Sequence, residues 1–104
     1  MNDRNFTRSD VHIMDYIGEP AMLEMAAEEC VELSHALLKL SRIERKENPT
    51  PVTREEAFKN IREEWTDVFL CCADELGLSV DWNQKEMKRQ RFEKRWEEAH
   101  EVHD

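Results

Sequence analysis

The stretch Met22-Leu23-Glu24-Met25-Ala26-Ala27-Glu28-Glu29-Cys30-Val31-Glu32-Leu33 decides the fold. Its apolar residues recur every three or four positions and continue through Ala36, Leu37, Leu40 and Ile43, the period of an amphipathic helix. At about 100° per residue, Leu23, Cys30, Leu33, Leu37 and Leu40 define the expected buried arc, with Met22, Met25, Ala36 and Ile43 along one edge. Pro20 suits the first turn of this helix, where its missing N–H costs nothing, so the expected span is Glu19 to about Lys46. Upstream, Ser9-Asp10 can cap a short helix ending near Gly18. Downstream, Glu47-Asn48-Pro49-Thr50-Pro51-Val52 is a break, because two prolines remove donors and bias their neighbours to extended geometry. Thr53 and Glu56 then have the spacing of a capping box and open a third helix, with Gly77 as a stop after Leu76. Asp81 caps a fourth helix from Trp82 to about Val102. No alternating Val/Ile/Thr run competes with this reading. The expected fold is all-α, a single domain over residues 1–104. It is a small bundle of three long helices plus a short N-terminal helix, completed by oligomerisation to a homodimer or homotetramer through exposed apolar stripes.

Composition narrows the classes. The chain has 104 residues, 15 Lys or Arg against 24 Asp or Glu, a net charge of −9, and only two glycines and three prolines. No apolar run approaches the roughly 20 residues of a membrane span, and the N-terminus lacks the apolar stretch of a signal peptide. A strongly acidic total argues against binding a nucleic-acid polymer, which needs a basic field. The three cysteines, Cys30, Cys71 and Cys72, form no Cys-x-x-Cys pair. They read as small buried hydrophobes of a protein in a reducing, cytoplasmic compartment.

The acids carry the chemistry. Glu29 projects between Met22, Ala36 and Leu40, inside the apolar arc, and Glu32 lies about 60° away on the same helix. A carboxylate buried without a partner costs several kcal/mol, about enough to demand a cation. In the third helix Phe58, Ile61, Trp65, Val68, Phe69, Cys72 and Leu76 form the expected core stripe. Asn60, Glu64, Asp67 and Cys71 run along its edge. Each helix thus offers a carboxylate pair at i, i+3, and antiparallel packing would bring the pairs together. Four hard oxygen donors suit Mg²⁺ or Mn²⁺ completed by water, whereas chance pairs on charge-rich helices need no ion at all. Glu32-x-x-His35 and Glu97-x-x-His100 also have the spacing of di-iron helical bundles, although His35 turns away from Glu29.

Ala26-Ala27-Glu28-Glu29-Cys30-Val31-Glu32-Leu33, followed by Glu63-Glu64-Trp65-Thr66-Asp67-Val68, resembles the Glu-x-x-Glu…Glu-x-x-Asp signature of MazG-like all-α nucleoside triphosphate pyrophosphohydrolases. The resemblance covers roughly Met22 to Trp96. It implies Glu29, Glu32, Glu64 and Asp67 as catalytic magnesium ligands, with Glu28 and Glu63 as supporting acids. It also implies cleavage between the α and β phosphates of a nucleotide, giving a monophosphate and pyrophosphate. Phosphoribosyl-ATP pyrophosphohydrolases share this plan, and a non-catalytic helical regulatory module is the alternative outside enzymes. The gap from Glu32 to Glu64 is on the long side for the family. The family's later basic element is matched approximately by Arg91-Phe92-Glu93-Lys94-Arg95-Trp96, or in another register by Asn83-Gln84-Lys85.

Six Lys or Arg and four acids make Trp82–Glu98 net +2, leaving about −11 on the rest of the chain. Lys88, Arg91 and Arg95 share one helical stripe beside Phe92, Trp96 and Ala99, with Lys85 adjoining. These cations, and Trp96 as a base platform, are the expected substrate-binding residues for a nucleotide, unless the stripe is simply a solvated face laced with ion pairs. Trp65 is expected in the core, Trp82 is a second candidate platform, and Lys39 could reach phosphate.

Overall fold

The computed structural model describes residues 11–46 and 51–101. Helix α1 is a single turn, Met14–Ile17, α2 is Glu19–Arg45, α3 is Arg54–Phe69, and α4 is Trp82–Ala99. Between α3 and the turn before α4, residues Leu70–Glu75 continue the rod as a π-helix. There is no strand among the described residues, so the all-α expectation holds. Ser9, Asp10 and Val102, and with them the expected first cap and last residue, lie outside the described residues, as do positions 47–50 of the proline loop.

The local signals act largely as the sequence predicts. Pro20 sits in the first turn of α2, and Gly18 precedes it at φ 88°, a backbone region that a side chain would strain. Lys46 ends α2 in the left-handed conformation with its N–H bonded to the Arg42 and Ile43 carbonyls. At the start of α3 the Thr53 hydroxyl accepts from the Glu56 N–H at 3.1 Å, and the Glu56 carboxylate accepts from the Thr53 N–H at 3.0 Å. Gly77, at φ 73°, closes the π segment, with Gly77 and Leu78 donating to the Ala73 and Cys72 carbonyls. The Asp81 side chain accepts from the Gln84 N–H and starts α4.

Helices α2 and α3 pack antiparallel. Glu44 near the end of α2 pairs with Arg54 at the start of α3, at 3.0 Å. Further along, Met22 and Ala26 of α2 share a core cluster with Cys71 of the π segment. Met14 of α1, Cys72 and Leu76 close over that cluster.

Two expectations about the core are corrected here. On α2 the buried residues are Met22, Ala26 and Ala36, whereas Leu23, expected inside, is 52 % exposed, and Cys30 and Leu37 are exposed too. On α3 and the π segment the covered side carries Ala57, Val68, Cys71 and Glu75, while Phe58, Trp65 and Phe69, expected in the core, are exposed. The apolar arc of α2 spans more than half of its circumference, and this chain covers only the part that α3 reaches. Periodicity finds an apolar arc but does not say which part of it an intrachain neighbour will cover.

Helix α4 differs from α2 and α3 in its burial. None of its residues is buried, and its contacts with the other helices are sparse among the described residues. The Cα radius of gyration is 19.3 Å, against roughly 13 Å for a compact domain of this length. Three long helices and one short one, with no strand among the described residues, agree with the small all-α bundle expected from the sequence. Among the described residues no helix is long and apolar enough to cross a membrane.

Candidate functional site: an acidic cluster between α2 and α3

The faces of α2 and α3 that meet are the faces that carry the acids. On α2, Glu29 is one turn or two from Met22, Ala26 and Ala36, and so lies in the middle of the covered arc. On α3, Glu64 falls between Ala57, Val68 and Cys71 at spacings of seven, four and seven residues, again in the middle of the covered strip. The antiparallel register places the two opposite each other. Carboxylate oxygens of Glu29, Glu64 and Asp67 all lie within 4.8 Å of one another, with Glu29 and Glu64 half-buried and Asp67 exposed. Glu32 is exposed and stands outside this group of three, but its charge still acts on Glu64. Glu28 and Glu63 are exposed at the margin.

Three acids at this separation repel one another. Burial pushes the Glu64 carboxyl above its ordinary value, and the charges of Asp67, Glu29, Glu32 and Glu63 push it further the same way. Every one of those charges is negative. Among the described residues no cation pairs with Glu29, Glu64 or Asp67; the ion pairs lie at His12–Glu75, Glu44–Arg54 and around Arg89. Such a cluster has the donor chemistry to bind a divalent cation.

Beneath the cluster lies Glu75, which sequence reasoning missed. Its side chain is 6 % exposed. One oxygen accepts the Met14 N–H at 2.9 Å, and the other is 3.8 Å from His12 Nδ1, so this buried acid ties the start of α1 to the π segment. A signal was available: Glu75 follows Glu64 by three helical turns, on the strip of Ala57, Val68 and Cys71. Cys71 links the two levels. Burial raises its thiol pKa, followed by the negative charge of Glu29, its neighbour Cys72, Asp67 and Glu75. Cys72 is raised by burial and by its contact with Cys30 of α2. π-helical turns are often found at functional sites, and here one aims Cys71 and Glu75 inward together.

The expected substrate-binding residues lie elsewhere. Lys85, Lys88, Arg91, Arg95 and Trp96 are all exposed on α4, which makes no extensive contact with α2 or α3 among the described residues. Lys85 Nζ stands 5.7 Å from the Trp82 ring centroid, and Trp96 stacks on His100 at 4.2 Å. Arg89 pairs with Glu86 and Glu93, giving one side of α4 the ion-pair lacing of a solvated helix. Lys39 is half-buried on α2, and His35 is exposed and outside the acidic group, so neither Glu-x-x-His pair assembles with it. No protein-family model, curated protein or solved structure matches the chain.

Proposed function

We propose that the chain is a Mg²⁺-dependent nucleotide pyrophosphohydrolase. It hydrolyses a nucleoside triphosphate or related nucleotide to the monophosphate and pyrophosphate. One observation carries the reading: Glu29, Glu64 and Asp67 converge from two helices to within 4.8 Å, with no cation paired to them among the described residues. The resemblance to the MazG-like signature falls on these same residues. Hard carboxylate oxygens, partly withdrawn from water, fit Mg²⁺, or Mn²⁺, with water and phosphate oxygens completing the coordination. Glu32, exposed one turn from Glu29 and outside the group of three, is the fourth donor that the resemblance implies.

Bound there, the metal would neutralise phosphate oxygens and lower the pKa of water. The chain's own carboxylates hold the ion and orient the attacking water. The water oxygen bonds to the α phosphorus as the bond to the α–β bridging oxygen breaks. Pyrophosphate leaves with the bonding electron pair, and the water's proton passes to a carboxylate of the cluster. Glu64, with its raised proton affinity, suits that task.

The test is pyrophosphate release by the purified chain with Mg²⁺, over a panel of common and modified nucleotides that includes phosphoribosyl-ATP. Pyrophosphate without orthophosphate is the expected product from at least one of them. Folded protein that turns over none of them defeats the reading. Stabilisation by Mg²⁺ without turnover would instead favour a non-catalytic helical module.

A further inference from the structure

The three cysteines are free thiols at three depths: Cys71 is buried, Cys72 half-buried and Cys30 exposed. The proposed chemistry uses none of them. Periodicity placed Cys30 in the core, yet it stands open on α2. It lies one helical turn from Ala26, on the same side of α2. Met22 and Ala26 pack against Cys71, and Cys72 closes over that cluster from the π segment. Where α2 and the π segment meet, the thiols of Cys30 and Cys72 are in hydrogen-bonding contact. Cysteine is a short side chain. Thiols in contact therefore require backbones already near the Cα separation, about 4.4–6.8 Å, that a disulfide spans. Cys71 has the other direction: it is buried beside Met22 and Ala26, and its thiol feels the charges of Glu29, Asp67 and Glu75. As neighbours on one helix, Cys71 and Cys72 point about 100° apart and cannot bridge each other without breaking it.

We propose that Cys30 and Cys72 are a redox-active pair, forming a reversible disulfide that fastens α2 to the π segment, with a small-molecule disulfide, oxidised glutathione, as the oxidant. The exposed Cys30 is the point of entry. Its thiolate attacks one sulfur of the oxidant; the new S–S bond forms as the old one breaks, and one glutathione leaves as a thiolate. Cys72 then attacks the Cys30 sulfur and displaces the second glutathione. The two cysteine protons pass to the two departing thiolates. The cysteine pair gives up two electrons and the oxidant takes up two, and excess thiol reverses both steps. Burial, and then Cys30 itself, push the Cys72 thiol above its ordinary value, which suits a thiol that resolves its partner rather than one attacked from solvent.

The bridge closes a loop of about 40 residues that contains the whole α2–α3 connection, so it constrains the unfolded chain and stabilises the hairpin. In a reducing compartment the thiols are the resting state, and the bridge forms only when disulfide accumulates. Cys30 directly follows Glu29, so the bridge also fastens the backbone that carries one acid of the cluster. An effect on turnover rests on the proposed function. The bridge itself does not.

The full chain is equilibrated in glutathione buffers, from fully reduced to fully oxidised. In the oxidised buffer the intact mass of the single chain should fall by two hydrogens, and a peptide map should join Cys30 to Cys72. The melting temperature should rise by about 10 °C or more over the reduced protein. Dithiothreitol should reverse all three changes. Cys30→Ser, an exposed substitution that leaves the core alone, should melt like reduced wild type in both buffers. Cys72→Ser should leave glutathione attached to Cys30, and Cys71→Ala should keep the Cys30–Cys72 link. Wild type that stays reduced, that ends with glutathione on Cys30 and no bridge, or that links through Cys71 or to a second chain would overturn the pair. A bridge that leaves the melting temperature unchanged would overturn the fastening of α2. No readout uses turnover, so a protein that releases no pyrophosphate but forms the bridge would reject the catalytic reading alone.

Discussion

The α2–α3 hairpin and α4 are built from similar residues and reach opposite outcomes. Both are charge-rich helices with an apolar stripe. In the hairpin, acids sit in the middle of the covered faces, at Glu29 and Glu64, and small residues such as Ala26, Ala36 and Ala57 let the backbones approach around them. In α4 the charges pair along the surface, as Arg89 does with Glu86 and Glu93, and the aromatic stripe is exposed. A charge counts for little when water screens it and for much when a neighbouring helix removes the water. The hairpin therefore holds its acids at a cost that a ligand can offset, whereas α4 offers cations at almost none.

The sharpest way to break this comparison is at the cluster. Glu29→Gln and Glu64→Gln should each lower pyrophosphate release by more than roughly 100-fold, because even groups that only orient a metal ligand cost about 10–100-fold. Circular dichroism should show helicity retained, and full activity in both variants would remove the ligand assignment. Next in size is packing. Met22 is fully buried at the start of the hairpin, and Met22→Ala should destabilise the fold by about 2–5 kcal/mol in urea titration. A near-neutral result would mean that the cluster of Met22, Ala26 and Cys71 is not the core. Capping is weaker: Thr53→Ala should cost about 1 kcal/mol, through loss of the reciprocal bonds with Glu56.

The metal-free protein should also respond to pH in a way that locates the cluster. Glu64 is raised on folding, first by burial and then by its acidic neighbours. A raised carboxylate carries no penalty below its unfolded pKa, and stability falls as pH climbs from there through the folded pKa. Thermal unfolding without metal should show that fall just above the ordinary carboxylate range. Glu64→Gln should flatten it, and Mg²⁺ should restore stability at the higher pH. An unchanged slope in the variant would place the repulsion elsewhere. Arg89→Ala on α4 marks the other end of the scale: its exposed ion pairs should leave the melting temperature close to that of wild type.

Much of the fold could be read from local chemistry. Pro20 after Gly18, the reciprocal Thr53 and Glu56 bonds, Gly77 and Asp81 set the helix limits, because each satisfies or removes backbone groups within a few residues of itself. The acids of the candidate site were visible too, as carboxylates at helical spacing beside apolar neighbours. What the pattern misjudged was the facing of each helix. Leu23, Leu37, Trp65 and Phe69 looked like core and are open, while Glu64 looked marginal and lies at the centre of the contact. Hydrophobicity ranks side chains by their preference for burial, but a helix with a wide apolar arc has more surface to bury than one neighbour can cover.

By itself, then, the sequence determined an all-α chain, most of its helix limits, and three of the four acids expected to meet, Glu29, Glu64 and Asp67, since all of these follow from short-range spacing and caps. Only the tertiary structure decided which faces of α2 and α3 meet, that Glu75 turns inward beneath Cys71, and that α4 buries none of its residues. Those outcomes depend on antiparallel register and on a π-helical shift in phase, and both arise where distant segments compete for the same small volume.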